Sequence, residues 1–286
     1  MQLKAVITAA APGQRHILDQ TLTTHDGKRT RMIEFLLDLV QGVATETAFI
    51  IPAGASEAYH PLLNESGQRI VLIEQNHPQG YAHAIFEARE FVGNHPFLHM
   101  VGDHFYLAGN QAASQRNKQP ARTLVESLVN IYQQQSCSIS AVQPTRESLL
   151  PYFGAVGGKA VSTEGPAKLY QIEKVMEKPT PTEAERELWA PGLRQGQYLC
   201  FFGMHIFTPA VMEILTELFA TGHPVASFSQ ALAILAKRER YLAAVLPGSR
   251  IDVGSKYGLL QAQLALGLGG PDREEVLSML LELAAR

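Results

Sequence analysis

The sequence predicts an α/β protein with a mostly parallel sheet and helices on both faces, and three observations carry that expectation. Short β-rich runs alternate with helix-period segments through the first half of the chain, the order that builds parallel strands joined by crossover helices. A length of 286 residues with 46% hydrophobic and 18% charged content suffices to bury a substantial core. No internal repeat, low-complexity tract or Gly/Ser linker divides the chain, so one domain over residues 1–286 is expected.

Residues 4–8, 47–51, 70–74 and 97–101 read as strands, each a short apolar run of the kind buried on both faces. Between them, residues 32–40 place Ile33, Leu36, Leu37 and Val40 on one helical face, and residues 81–91 do the same with Ala84, Ile85, Ala88 and Phe91. A helix at 124–134, a strand at 137–143 and strands at 169–176 and 198–207 follow. Residues 180–194, with Pro181, Pro191 and a charged stretch, read as a surface excursion. Pro209 opens a helix to about Phe219, because proline is tolerated where the backbone N–H has no partner. A helix from Ser227, a strand at 241–246 and two helices close the chain. The last, residues 274–284, has leucines and a methionine on nearly every side of its second half, which predicts a homo-oligomer contact.

A formal net charge of −3 and no stripe of Lys and Arg exclude nucleic acid as a partner. Cys137 and Cys200, the two cysteines, each sit in an apolar run and are expected to be buried thiols in a reducing compartment. The first residues lack a signal peptide's long apolar region, and no apolar run reaches the roughly 20 residues of a membrane span. No membrane partner and a cytoplasmic location are therefore expected. The ten histidines show no paired spacing with thiolates or carboxylates that would mark a zinc site.

Five segments carry residues able to do chemistry. Thr8-Ala9-Ala10-Ala11-Pro12-Gly13-Gln14-Arg15 is a small-residue turn after a strand, where backbone N–H groups approach phosphate; alone, it is equally a tight connection. Val101-Gly102-Asp103-His104 ends a strand in an acid at the edge where open α/β sheets place ligands. A second acid, Asp252, follows a strand-like run; the two carboxylates would make a hard-oxygen site for Mg²⁺, although either alone is also a helix cap. Gln75 and Gly80 stand in a polar loop, where an amide can read a base edge and a glycine lets a ring approach. Glu177-Lys178-Pro179 ends a strand; alternation predicts that its acid and cation face opposite ways, one of them into the cleft.

In this order, from Lys4 to about Leu266, the segments resemble the bacterial UTP-glucose-1-phosphate uridylyltransferases and their sugar-phosphate nucleotidyltransferase relatives. Gln75 to Ala84 is similar to that family's Q-x-x-x-x-G-x-x-x-A base loop, and Met100-Val101-Gly102-Asp103 to its L-G-D stretch. Tyr152-Phe153-Gly154 resembles its Y-G sugar loop. Glu177-Lys178-Pro179 resembles V-E-K-P, and Asp252 through Gly258 resembles D-x-G-S-K-x-G.

The resemblance implies a Rossmann-like, GT-A-like nucleotidyltransferase fold with a small sugar-side lobe. Residues 1–110 would form the nucleotide half, 111–267 the sugar-phosphate half and 268–286 a C-terminal helix. It implies joining of UTP, or another nucleoside triphosphate, to a sugar 1-phosphate, glucose 1-phosphate above others, with release of pyrophosphate. Asp103 and Asp252 would hold Mg²⁺ as the metal and catalytic acids. Lys178 would neutralise the sugar phosphate, and Glu177 and Gly154 would receive sugar hydroxyls. Gln75 and Gly80 would read uracil, and Ala10, Ala11, Gly13 and Arg15 would handle the triphosphate.

The first motif departs from the family's G-x-G-T-R: Ala11 replaces a glycine and Gln14 the threonine, and Gln20 stands where relatives carry a lysine for the triphosphate. Lys28, Arg29 or Arg31, after the Asp26-Gly27 turn, or Lys256 are candidates to replace that charge. Met204 and His205 stand where relatives read G-R-Y near the sugar. A second reading is therefore a non-catalytic nucleotide-sugar binding or regulatory homologue.

Overall fold

A computed structural model describes residues 3–11, 16–24, 26–65, 67, 69–109, 121–162, 167–221 and 227–285. The first half of the chain supplies β1 (Leu3–Thr8), the small hairpin β2 (Thr21–Thr23) and β3 (Arg29–Arg31), and α1 (Met32–Val40). It continues with β4 (Ala44–Pro52), α2 (Ser56–Glu65), β5 (Arg69–Gln75), α3 (Tyr81–Phe86), α4 (Arg89–Val92), β6 (Phe97–Val101) and β7 (His104–Ala108).

The second half supplies α5 (Arg122–Gln135), β8 (Ser138–Arg146), a 3₁₀ turn at Glu147–Tyr152, β9 (Ala155–Ser162), β10 (Lys168–Met176) and α6 (Pro181–Glu187). Then come β11 (Gln197–Phe207), α7 (Ala210–Ala220), α8 (Phe228–Arg238), β12 (Tyr241–Val245), β13 (Gly248–Asp252), α9 (Gly258–Gly269) and α10 (Arg273–Ala284).

Nine strands form one sheet in the order β5-β4-β1-β6-β11-β8-β12-β10-β9. β5, β4, β1 and β6 are parallel neighbours; tracing the pairings outward leaves β11 and β10 alone running against the other strands. The expected mostly parallel α/β sheet is thus what forms. Side-chain alternation along β1 sends Ala5 and Ile7 to one face and Val6 to the other, and each face carries its own core. α1, α5 and α9 cover the first face, and α3, α4, α7 and α8 the second. α1 buries seven of its nine residues, and each large apolar side chain so buried contributes about 1.5–3 kcal/mol.

The far end of the sheet rolls up. β11 pairs with β6 through Met204–Phe207 and with β9 through Leu199 and Cys200, so β11, β8, β12, β10 and β9 pair in a closed circuit. This closed unit adjoins the open parallel half of the sheet. Both cysteines are free and buried, as expected.

Several local expectations are corrected. The single helix over 81–91 breaks at Glu87–Ala88, where the Ala88 N–H reaches back only to Ile85 and the ladder tightens out of register. The stretch 180–194 is not irregular throughout: Thr180 caps α6 reciprocally with Glu183. β10 ends at Met176, before Glu177 and Lys178, so strand alternation does not govern that pair and both are exposed. Asp252 does not cap a helix either, since α9 begins at Gly258 with Tyr257 before it. α10 packs on α9 and buries no residue, leaving Met279, Leu281 and Leu283 half or more exposed. Among the described residues no helix is long and apolar enough to cross a membrane.

Candidate functional site

The parallel strands β1 and β6 end side by side, with the Gly102 N–H on the Thr8 carbonyl at 2.8 Å. The chain leaving β1 carries Ala10, part-buried, and Ala11, exposed, over this edge; Gly13 and Arg15 lie outside the described residues. Asp103 follows at the turn into β7. β7 and β13 form an antiparallel ribbon in which Asp252 opposes His104, and the Val253 N–H donates to the Asp103 carbonyl at 2.9 Å. Two acids separated by 149 positions in sequence are thereby neighbours at the carboxyl end of the sheet.

Each acid is oriented. Asp103 Oδ1 lies 2.7 Å from His104 Nδ1, and Asp252 Oδ1 accepts from the Gly254 N–H at 2.9 Å. The turn after Asp252 depends on Gly258, because a Cβ there would stand 1.8 Å from the Asp252 carbonyl oxygen. Among the described residues no group of three or more His, Cys, Asp or Glu gathers at this place. Two carboxylates without further protein ligands are the donor set a hard divalent ion uses when phosphate oxygens and water complete its shell, so Mg²⁺ fits these residues.

The closed lobe brings a second group to the same place. The Gly154 carbonyl accepts the Phe201 N–H at 3.0 Å, and a side chain on Gly154 would meet Ser229 Oγ and Glu177 Oε2. Ser229 Oγ donates to Glu177 Oε2 and so fixes that carboxylate. Lys178 has φ +45° directly before Pro179, a left-handed conformation that costs of order 1–3 kcal/mol for a non-glycine residue.

Tyr81 joins the two groups. Though its residue is 40% exposed, its hydroxyl turns inward to His99 Nε2 at 2.6 Å. Burial raises the hydroxyl's pKa well above the usual tyrosine value, and the negative charges of Asp103 and Glu177 add to the effect. His99 Nδ1 lies 3.0 Å from the Val6 carbonyl, which can only accept; the neutral ring therefore donates there and accepts from Tyr81. Burial holds His99 at about 4 and His205, stacked on it, well below the ordinary histidine value.

Gln75 ends β5 and Gly80 immediately precedes α3. Gln75 is 3% exposed and its amide Nε2 is 3.0 Å from His83 Nδ1, while His83 Nε2 is 3.1 Å from Glu87. Gly80 has φ +94° at the start of α3, and the space its Cβ would occupy is open. The four candidate cations divide. Lys28 is paired with Asp26 and Arg31 with Glu34, whereas Arg29 is exposed on β3. Lys256 stands on the loop that begins at Asp252, over the ring of Tyr257. A cavity of about 440 Å³ opens near the other end of β13, between Pro247, Val245, Lys168 and Arg194; none of the sequence-predicted residues lines it.

Sequence reasoning missed Tyr81, His99, Ser229 and Arg250. The first sits beside Gly80 in a segment already singled out; the others reveal themselves only through partners distant in the chain.

The chain is thus an α/β protein that brings two acids, a cation in a left-handed conformation and a glycine loop towards the carboxyl end of its sheet. A family model for nucleotidyl transferases matches residues 15–267, and the chain belongs to that family. Among its relatives, UTP–glucose-1-phosphate uridylyltransferase of Streptococcus pneumoniae serotype 4 is 28% identical over 216 residues, 75% of this chain and 65% of that protein. UTP–glucose-1-phosphate uridylyltransferase 1 of Streptococcus pyogenes serotype M3 is 27% identical over 203 residues, 71% of this chain and 60% of that protein. The matched stretches thus span less than two thirds of these relatives' lengths.

Solved structures agree on the fold. A UDP-glucose pyrophosphorylase complexed with UDP-glucose superposes with a TM-score of 0.70 at 22% identity, covering 93% of this chain and 98% of that one. The UTP-bound UGPase from Acinetobacter baumannii does so with 0.70 at 19% identity over 99% and 100%.

Proposed function

We propose that this protein joins UTP to a sugar 1-phosphate, glucose 1-phosphate first among candidates, giving a UDP-sugar and pyrophosphate. The observation that carries the reading is the meeting of Asp103 and Asp252 near the Gly154–Glu177–Ser229 group, with the charges of Asp103 and Glu177 both reaching the Tyr81 hydroxyl. An oxygen of the sugar phosphate attacks the α-phosphorus, the bond to the β-phosphate oxygen breaks, and pyrophosphate leaves with the bonding electrons. Such chemistry needs positioning and charge neutralisation rather than a covalent intermediate.

Asp103 and Asp252 would hold Mg²⁺, which would supply charge neutralisation for the reacting phosphates. Lys178 meets the sugar phosphate. Glu177, fixed by Ser229, and the Gly154 backbone receive sugar hydroxyls. Gln75 and the open face of Gly80 receive the base, and Ala10 and Ala11 border the triphosphate. Lys256 or the exposed Arg29 stands in for the missing lysine of the first motif, since Lys28 and Arg31 are paired with carboxylates. The exposed leucines of α10 support a homo-oligomer, measurable by sedimentation.

Pyrophosphate release across a panel of nucleoside triphosphates and sugar 1-phosphates tests the reading. Release that needs both substrates and Mg²⁺, greatest with UTP and glucose 1-phosphate, is expected. No release, with calorimetric binding of a nucleotide sugar intact, would sink it and favour the non-catalytic homologue, for which the altered first loop speaks.

A further inference from the structure

Arg250 lies on β13, opposite Tyr106 and two residues before Asp252. Its guanidinium carbon stands 4.0 Å from the ring centroid of Phe153, the residue before Gly154, and its Nη1 donates to Gln143 Oε1 of β8 at 3.1 Å. Its Nε and Nη2 are buried without a hydrogen-bond partner among the described residues, and no ion pair there includes it. Of the groups near it, Asp252 is the one carboxylate, and the Cys200 thiol and Tyr106 hydroxyl are kept neutral by burial; none of the three forms a salt bridge with it.

A buried cation with two idle donors opposes folding, and an apolar side chain of the same volume would suit the position at least as well. Its placement gives the reason for keeping it. One planar group reaches the strand bearing a metal-site acid, the strand β8, and the loop bearing Gly154. Two residues before Asp252 it also adds a fixed positive charge in a largely buried place, where solvent screens little.

We propose that Arg250 is a positioning residue for the sugar 1-phosphate. It holds the Phe153–Gly154 loop against Glu177 by stacking and offsets the acids' repulsion of the incoming phosphate. The inference rests on the function proposed above and deepens it, because it assigns the control of one substrate and not the other to a group that touches neither.

The test compares wild type with Arg250→Met, Arg250→Lys and Phe153→Leu, using UTP and glucose 1-phosphate or whichever pair the panel shows to turn over. At an effective dielectric of about 20, a unit charge roughly 10 Å from a phosphate is worth on the order of tenfold in affinity. Arg250→Met should raise KM for the sugar phosphate by that order while KM for the nucleotide and kcat stay within about twofold. Its Tm should stay within about 3 °C of wild type or exceed it. Arg250→Lys should recover part of the loss through its charge, and Phe153→Leu should show a smaller loss of the same kind.

An unchanged sugar-phosphate KM in Arg250→Met overturns the proposal. So does a protein that melts much earlier or fails to fold, or one in which both KM values and kcat shift together, since each marks a merely structural arginine. Wild type without turnover on any pair overturns the proposed function and this inference together; an active wild type beside an indifferent Arg250→Met overturns this inference alone.

Discussion

Lowering the pH from 7 to 5 should destabilise the protein through buried histidines before most of its carboxylates protonate. His99 is fully buried and held neutral, its pKa pushed down to about 4 from 6.5. Between those values the unfolded chain binds a proton that the folded one refuses, so stability is whole above pH 6.5 and is lost as pH falls. The 2.5-unit difference corresponds to roughly 3 kcal/mol in full, of which about 2 kcal/mol is gone by pH 5. His205, shifted in the same direction by burial, adds to the slope.

His99→Gln separates this cause from others. A glutamine can still donate to the Val6 carbonyl and accept from Tyr81, but it does not titrate. Urea unfolding at pH 7, 6 and 5 should show the variant losing about 2 kcal/mol less than wild type over that range. Parallel pH profiles for the two proteins would refute the reasoning, because they would mean that His99 takes up its proton without cost in the folded state.

Gly258→Ala should cost at least about 1–3 kcal/mol and depress turnover as well, since its methyl group displaces the Asp252 carbonyl; melting and kinetic measurements together check this. Ser229→Ala should leave Glu177 unfixed, raising KM for the sugar phosphate several-fold while KM for the nucleotide holds. Thr180→Ala removes the α6 cap and should lower stability by about 1 kcal/mol in denaturant titrations.

The parallel half of the fold was legible because β1, β4 and β6 are continuous apolar runs, and α1 has a stripe of fitting period. The ribbons β2–β3 and β7–β13 were not, since they are short and partly polar, and only tertiary pairing makes them strands. β9 escaped because its Gly157 and Gly158 weaken any strand pattern; a Cβ on Gly158 would stand 1.8 Å from the Gln171 carbonyl oxygen. α6 was readable in principle from Thr180 and Glu183, a capping box, but the neighbouring prolines suggested a loop.

The site divides in the same way. Asp103, Asp252 and Glu177 could be found because each ends or follows a strand, and Gly154, which follows a 3₁₀ turn, through the string that resembles the family's. Their supporting groups could not: Ser229 meets Glu177 across 52 positions, His99 meets Val6 across 93, and Arg250 meets Gln143 across 107. Nothing local marks such residues, whose meaning comes from the sheet order.

The two acids at the end of the β7–β13 ribbon are the centre of this account, and kinetics on Asp103→Ala, Asp252→Ala and the double variant test them most directly. If they act as one unit, each single change should cut pyrophosphate release by on the order of 10²- to 10³-fold, and the double variant should be little worse than either. Losses that multiply, or a single variant that keeps wild-type release, would contradict a shared site.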